Sequence, residues 1–104
     1  MEELKEAVKF MVDKELENSN KKFDSTFHTT HEGYAIIKEE VEEAEEELEV
    51  VNAHLKDLWW NVRKNKIDCS ISPVKCLKQK AVNLAAESIQ VAAMCQKFID
   101  SFEK

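Results

Sequence analysis

The most regular pattern in the chain is an apolar seam in its middle third. Apolar residues alternate at spacings of four and three over about four heptads, namely Ile37, Val41, Ala44, Leu48, Val51, Leu55, Leu58 and Val62. This spacing is typical of a helix that packs along one face. It predicts a helix that Thr29 or Thr30 caps and that extends to Lys64, about 50 Å if uninterrupted. The sequence leaves open a break near Asn52, but we favour a continuous helix that packs in an oligomer.

A shorter amphipathic pattern precedes the seam. Leu4, Val8, Met11 and Leu16 recur at roughly helical spacing, which predicts a first helix from Glu2 to Asn18. Asn18, Ser19 and Asn20 are expected to end it, because their side chains compete for backbone hydrogen bonds. Residues 21–30 then form a polar connection, in which Phe23 and Phe27 are the expected anchors to the core.

The third pattern is almost uniformly apolar. A loop over residues 65–72 is expected to lead to Ser72 as N-cap and Pro73 as the first residue of a third helix. That helix is predicted to extend to Phe102, and Glu87 is the only acidic residue between Cys69 and Ile99. A helix that is apolar on nearly all sides belongs at the centre of a bundle or an assembly.

Composition supports an all-α fold. One glycine and one proline in 104 residues supply too little turn chemistry for a β-sandwich, a barrel or a Rossmann-type fold. We therefore predict a single domain over residues 1–104, a helical bundle of three principal long helices. Oligomerisation into a homodimer or homotetramer is expected to complete the bundle.

Net charge narrows the class of partner. The chain carries a formal charge of −6, and residues 1–49 hold 16 acidic and 6 basic side chains. Nucleic acid polymers are poor partners, because they require a basic face, whereas a divalent cation is a good one. The sequence contains no stretch of 18 apolar residues, so we predict no membrane-spanning helix. Cys69, Cys76 and Cys95 are expected to be reduced thiols in the cytoplasm.

Candidate chemistry lies in the glutamate-rich part of the second helix. Glu39, Glu40 and Glu43 form an E-E-x-x-E element, in which Glu40 and Glu43 share a helix face at spacing i, i+3. Glu40 borders the apolar seam, at the edge of a groove, where carboxylates suit the oxygen-preferring Mg²⁺ ion. The rest of the glutamate run is expected to be a solvated face.

The isolated Glu87 strengthens this interpretation. A carboxylate on an apolar helix is costly to bury without a compensating cation or hydrogen bonds. Packing of the second helix against the third can place Glu87 opposite Glu40 and Glu43, where three carboxylates would repel one another without a metal. Gln90, one turn after Glu87, offers a fourth oxygen or orients a water molecule.

Two segments together resemble a known family. HEGYAIIKEEVEEAEEE (residues 31–47) and ESIQVAAMCQKFID (residues 87–100) resemble the MazG-like branch of the all-α nucleoside triphosphate pyrophosphohydrolases, especially short phage-type members. The family pattern is E-E-x-x-E on one helix and E-x-x-D on a later one. The first element matches at Glu39, Glu40 and Glu43. The second matches at Glu87, while Gln90 occupies the position of the aspartate.

The resemblance implies an enzyme that cleaves nucleoside triphosphates between the α and β phosphates, releasing a monophosphate and pyrophosphate. By this analogy, Mg²⁺, or Mn²⁺ in its place, is held by Glu40, Glu43 and Glu87, with Gln90 alongside. Glu39 is a further ligand or orients the attacking water.

Three other residues are candidates for contact with the substrate. Lys21 and Lys22, in the predicted connection before the second helix, are candidates for contact with the phosphates. His31, at the start of the second helix, is a candidate for a position near the substrate. Base and sugar preference cannot be inferred from the sequence, because the pocket is formed by packing between helices.

Two alternatives remain open at the level of sequence. One is a non-catalytic helical interaction protein whose heptad seam pairs with a partner. The other is a nucleotide-binding family member that has lost activity, an interpretation motivated by Gln90.

Overall fold

The computed structural model describes all 104 residues and contains three α-helices and no strand. They are α1 (Glu2–Lys22), α2 (Thr30–Arg63) and α3 (Ile67–Phe102). The three helices pack together, which confirms the all-α fold with three principal helices. Oligomerisation stays a prediction. None of the helices combines the length and apolar character needed to cross a membrane.

Contacts divide the chain into two compact units. The first comprises Met1–Val41 with Glu87–Lys104, and the second comprises Glu42–Ala86. The division therefore falls inside α2 and inside α3, and both helices are continuous through it.

The core of the first unit draws on all three helices. Phe27, Ala93 and Met94 are buried at its centre, and they are packed against partly buried Val12, Leu16, Ile36, Ile37, Phe98 and Phe102. The backbone N–H of Phe27 donates to Ser101 Oγ at 2.9 Å, which ties the α1–α2 connection to α3. The prediction that Phe27 is an anchor is confirmed. The prediction for Phe23 is wrong, because its side chain is 70% exposed.

The first helix is longer than expected. Asn18, Ser19 and Asn20 do not end α1, which extends to Lys22. Acidic residues in the first turn and Lys21 and Lys22 in the last turn complement the helix dipole. The charges at both ends therefore favour the longer helix. Lys21 and Lys22 lie in its last turn and not in a loop.

The second helix begins as predicted and does not break. Thr29 Oγ1 accepts a hydrogen bond from the backbone N–H of Glu32 at 3.1 Å, which makes Thr29 the cap. From Thr30 the helix continues for 34 residues without interruption at Asn52. The early part of the apolar seam is half-buried, whereas Leu48, Leu55 and Val62 are exposed.

The second unit is a helical hairpin with a very short connection. Asn65 adopts a positive φ of 56°, its N–H donates to the carbonyl of Val62, and the N–H of Lys66 donates to that of Asn61. This is the Schellman pattern, in which asparagine takes the place of the usual glycine.

The predicted start of the third helix is wrong. Residues 67–72 are already helical, so Pro73 lies inside α3 and not at its first position. Proline lacks an N–H, so the carbonyl of Cys69 loses its helical donor. Cys69 is exposed, and water can therefore satisfy this carbonyl.

We predict that Gly33→Ala destabilises the protein, although alanine normally favours a helix. A Cβ at position 33 would lie 2.5 Å from Phe98 Cδ2 and 3.0 Å from Phe27 Cδ2. Overpacking costs about 1–3 kcal/mol and exceeds the helix-propensity gain of up to about 1 kcal/mol. Denaturant unfolding should show a lower free energy of unfolding, and a smaller loss when Phe98→Leu makes room.

The exposed Ala35 on the same helix provides the control. Ala35→Gly should cost about 1 kcal/mol through propensity alone, so alanine is preferred at position 35 and glycine at position 33. A gain in stability from Gly33→Ala would show that α2 and α3 are not in close contact there.

Candidate metal centre

Three carboxylates converge where α2 faces α3. An oxygen of Glu40 lies within 4.8 Å of an oxygen of Glu87, and Glu43, one turn further along α2, brings a third oxygen within the same distance of both. All three side chains are half-buried. The i, i+3 spacing of Glu40 and Glu43 places both on one face of α2, and packing against α3 supplies the third.

The chemistry of this cluster suits a hard divalent cation. Two oxygens that bind Mg²⁺ from opposite sides are about 4.2 Å apart, because each lies about 2.0–2.1 Å from the ion. The observed spread is close to that value. Three partly desolvated carboxylates so close together also repel one another, and a bound cation removes that repulsion. The residues therefore fit a magnesium ion.

A cavity of about 630 Å³ adjoins the cluster in the first unit. Its volume lies in the range of roughly 300–1,000 Å³ that is usual for small-molecule sites. Glu39 and Glu40 line it from α2, Gln90 lines it from α3, and Glu15 lines it from α1. Glu40, one of the three clustered carboxylates, therefore lies on the wall of a space large enough for a small molecule.

Gln90 is held by a hydrogen bond across the helices. Its Nε2 donates to Glu15 Oε1 at 2.8 Å, and both side chains line the cavity. With the nitrogen committed to Glu15, the amide oxygen is the atom left to bind a metal or a water molecule. The hydrogen bond also places the Glu15 carboxylate beside the position where the family pattern has an aspartate.

The other predicted residues fall into two groups. Glu39 is exposed and lines the cavity, as does Lys22 at the end of α1. Lys21 and His31 are not among the residues that line it. Lys21 instead pairs with Glu17 at 3.4 Å, and His31 lies exposed in the first turn of α2.

The later glutamates of α2 form the solvated face that the sequence predicts. Glu45, Glu46 and Glu49 are exposed. Glu47 is half-buried in the second unit, and its Oε2 lies 3.9 Å from Lys80 Nζ on α3. The glutamate run therefore contains a cluster, an ion pair and a solvent-facing stripe.

Two residues of the cavity wall escaped the sequence argument. Glu15 lies on α1, which has the sequence pattern of a simple amphipathic helix. Nothing in that pattern indicates that Glu15 contacts a residue of α3. Lys97 is 5% exposed and lines the cavity. It lies seven residues after Gln90, a spacing that places both residues on the same face of the helix. This spacing could have predicted that Lys97 lies on the same side of α3 as the candidate site.

Comparisons with protein families, with curated proteins and with solved structures found no match to this chain. The assignment of a function therefore depends on the residues and on their arrangement.

We predict that Mg²⁺ raises the melting temperature of the wild-type protein and that Glu87→Gln abolishes this rise. A ligand that binds only the folded state at ten times its Kd adds about 1.4 kcal/mol, and each kcal/mol shifts the melting temperature by about 4–8 °C in a domain of this size. Thermal unfolding followed by circular dichroism, with and without Mg²⁺, measures the effect.

Glu46→Gln is the matched control, because Glu46 is exposed on the same helix as Glu40 and Glu43. It removes the same charge and should leave the Mg²⁺-dependent shift unchanged. Equal loss of the shift in both variants would show nonspecific screening and would rule out a metal at the cluster.

Proposed function

We propose that the protein is a Mg²⁺-dependent nucleoside triphosphate pyrophosphohydrolase that cleaves between the α and β phosphates. The single observation that carries the proposal is the convergence of the Glu40, Glu43 and Glu87 carboxylates beside a nucleotide-sized cavity. The resemblance to the MazG-like family supplies the reaction, and the geometry supplies a site suited to it.

Each carboxylate has a role in this proposal. Glu40, Glu43 and Glu87 hold the ion, which when bound neutralises phosphate charge and stabilises the charge that develops during phosphoryl transfer. Glu39 is exposed and lines the cavity, so its carboxylate can accept a hydrogen bond from the attacking water and orient it. Gln90 is fixed by Glu15 and orients a water molecule or adds an oxygen ligand.

The remaining wall of the cavity suits a nucleotide. Lys22 contributes a cation for phosphate, while Phe23, whose side chain is 70% exposed, contributes aromatic surface on which a base can stack. Cys69, Cys76 and Cys95 form no disulfide, which agrees with a reducing compartment, and we propose the cytoplasm.

A second candidate function is that of a helical interaction protein. The observation that favours it is the amount of apolar surface that the second unit exposes on α2 and α3, at Leu48, Leu55, Trp59, Trp60, Val62, Ile71, Val74 and Val82. Association of these helices with another protein would cover this surface. Self-association into a homodimer or homotetramer covers it equally well and is compatible with the enzyme.

Pyrophosphate release in the presence of Mg²⁺, assayed with a panel of ribo- and deoxyribonucleoside triphosphates, tests the proposal. We expect turnover of at least one nucleotide and a loss of about 100-fold or more in kcat/KM for Glu40→Gln and for Glu87→Gln, because removing a metal ligand should cost at least as much as removing the groups that orient ligands. Glu46→Gln should retain wild-type activity.

Gln90→Asp separates the enzyme from its inactive alternative. If the wild type binds nucleotide without hydrolysing it and the Gln90→Asp variant hydrolyses it, the protein is a nucleotide-binding relative that has lost catalysis. The proposed function would be contradicted if neither folded protein released pyrophosphate from any nucleotide and if nucleotide binding did not depend on Mg²⁺. That result would favour the interaction protein.

A further inference from the structure

Lys97 is the one charged residue buried in the structure. It is 5% exposed, in the same class as the apolar core residues Phe27 and Met94. Lysine is almost never buried to this extent unless a partner compensates its charge. Its position on the cavity wall suggests that the partner comes from the cavity.

The protein itself supplies little compensation. Lys97 forms no ion pair and its Nζ makes no hydrogen bond; the nitrogen lies 4.9 Å from the centre of the Phe27 ring. A cation above an aromatic face is attracted by the ring quadrupole, but all three N–H donors of the ammonium group remain available. The buried ammonium is thus oriented by Phe27 and retains its capacity to bind an anion.

Its distance from the carboxylate cluster limits the shape of the ligand. Lys97 lies ten residues after Glu87 on the uninterrupted α3, a rise of about 15 Å along the helix. Gln90, Met94 and Lys97 line the same cavity at intervals of about one turn. A ligand that reaches both ends must therefore be elongated, with one part at the metal and an anionic part at the lysine.

We propose that Lys97 is a substrate-binding residue that holds a phosphate group outside the metal-bound part of a polyphosphate ligand. The identity of that ligand as a nucleoside triphosphate rests on the proposed function, whereas the anion site rests on Lys97 itself. Phe27 positions the ammonium group, and its backbone is in turn held by Ser101.

Binding of inorganic tripolyphosphate in the presence of Mg²⁺, measured by calorimetry, tests this assignment without requiring turnover. Lys97→Met keeps the length of the side chain and removes the charge. We expect its Kd to be at least about tenfold higher than that of the wild type, as for the loss of a hydrogen bond to a charged group. Lys78→Met is the matched control, because Lys78 is an exposed lysine of the same helix that does not line the cavity, and the expected change in its Kd is below about threefold.

Lys97→Gln, which is uncharged but polar, provides a second test should the methionine variant fail to fold, and the same loss is expected. A Kd within about threefold of the wild type in a folded Lys97 variant would overturn the assignment, as would an equal loss in Lys78→Met.

The outcome is separable from that of the proposed function. Lys97-dependent tripolyphosphate binding without pyrophosphate release from any nucleotide would support the anion site and contradict the hydrolase. Nucleotide hydrolysis with an unchanged tripolyphosphate Kd in Lys97→Met would support the hydrolase and overturn the anion site.

Discussion

The close contact of α2 with α3 at Gly33 is the constraint on which the candidate site depends. A side chain at this position would collide with Phe98 and Phe27, so only the missing Cβ lets the two helices approach so closely. Glu40 lies seven residues further along α2, two turns from the contact and on nearly the same face. Because both helices are continuous here, this approach brings the carboxylate of Glu40 next to that of Glu87.

The same packing places charges of opposite sign at different positions along one cavity. Carboxylates line the cavity from both α1 and α2 and from the connection between them, and the buried Lys97 lies on its wall one turn beyond Met94 on α3. A charged group costs less to bury with an opposite charge beside it, but Lys97 faces an aromatic ring. A divalent cation bound with a polyphosphate would match both the carboxylates and the lysine, and this match links the fold to the proposed chemistry.

Much of this arrangement follows from the sequence, and the exceptions have physical causes. The heptad seam predicts α2 because the spacing of its apolar residues along the sequence shows directly which face of the helix packs. Pro73 suggests a helix start that the fold does not use, because the Schellman turn at Asn65 already reverses the chain. Glu87 stands out as the only acidic residue between Cys69 and Ile99, whereas the helical spacing that relates Lys97 to Gln90 does not show that Lys97 is buried. Local sequence patterns therefore predict the helices, but contacts between residues that are distant in sequence can be identified only from the structure.

Anomalous X-ray scattering from crystals grown with Mn²⁺ is the sharpest test of our proposal that Glu40, Glu43 and Glu87 bind one metal ion together. Mn²⁺ shares the preference of Mg²⁺ for oxygen ligands and scatters anomalously. We expect an anomalous peak within coordination distance of all three carboxylates. Crystals at saturating Mn²⁺ with no peak there, or with a peak only at the exposed glutamates, would contradict it.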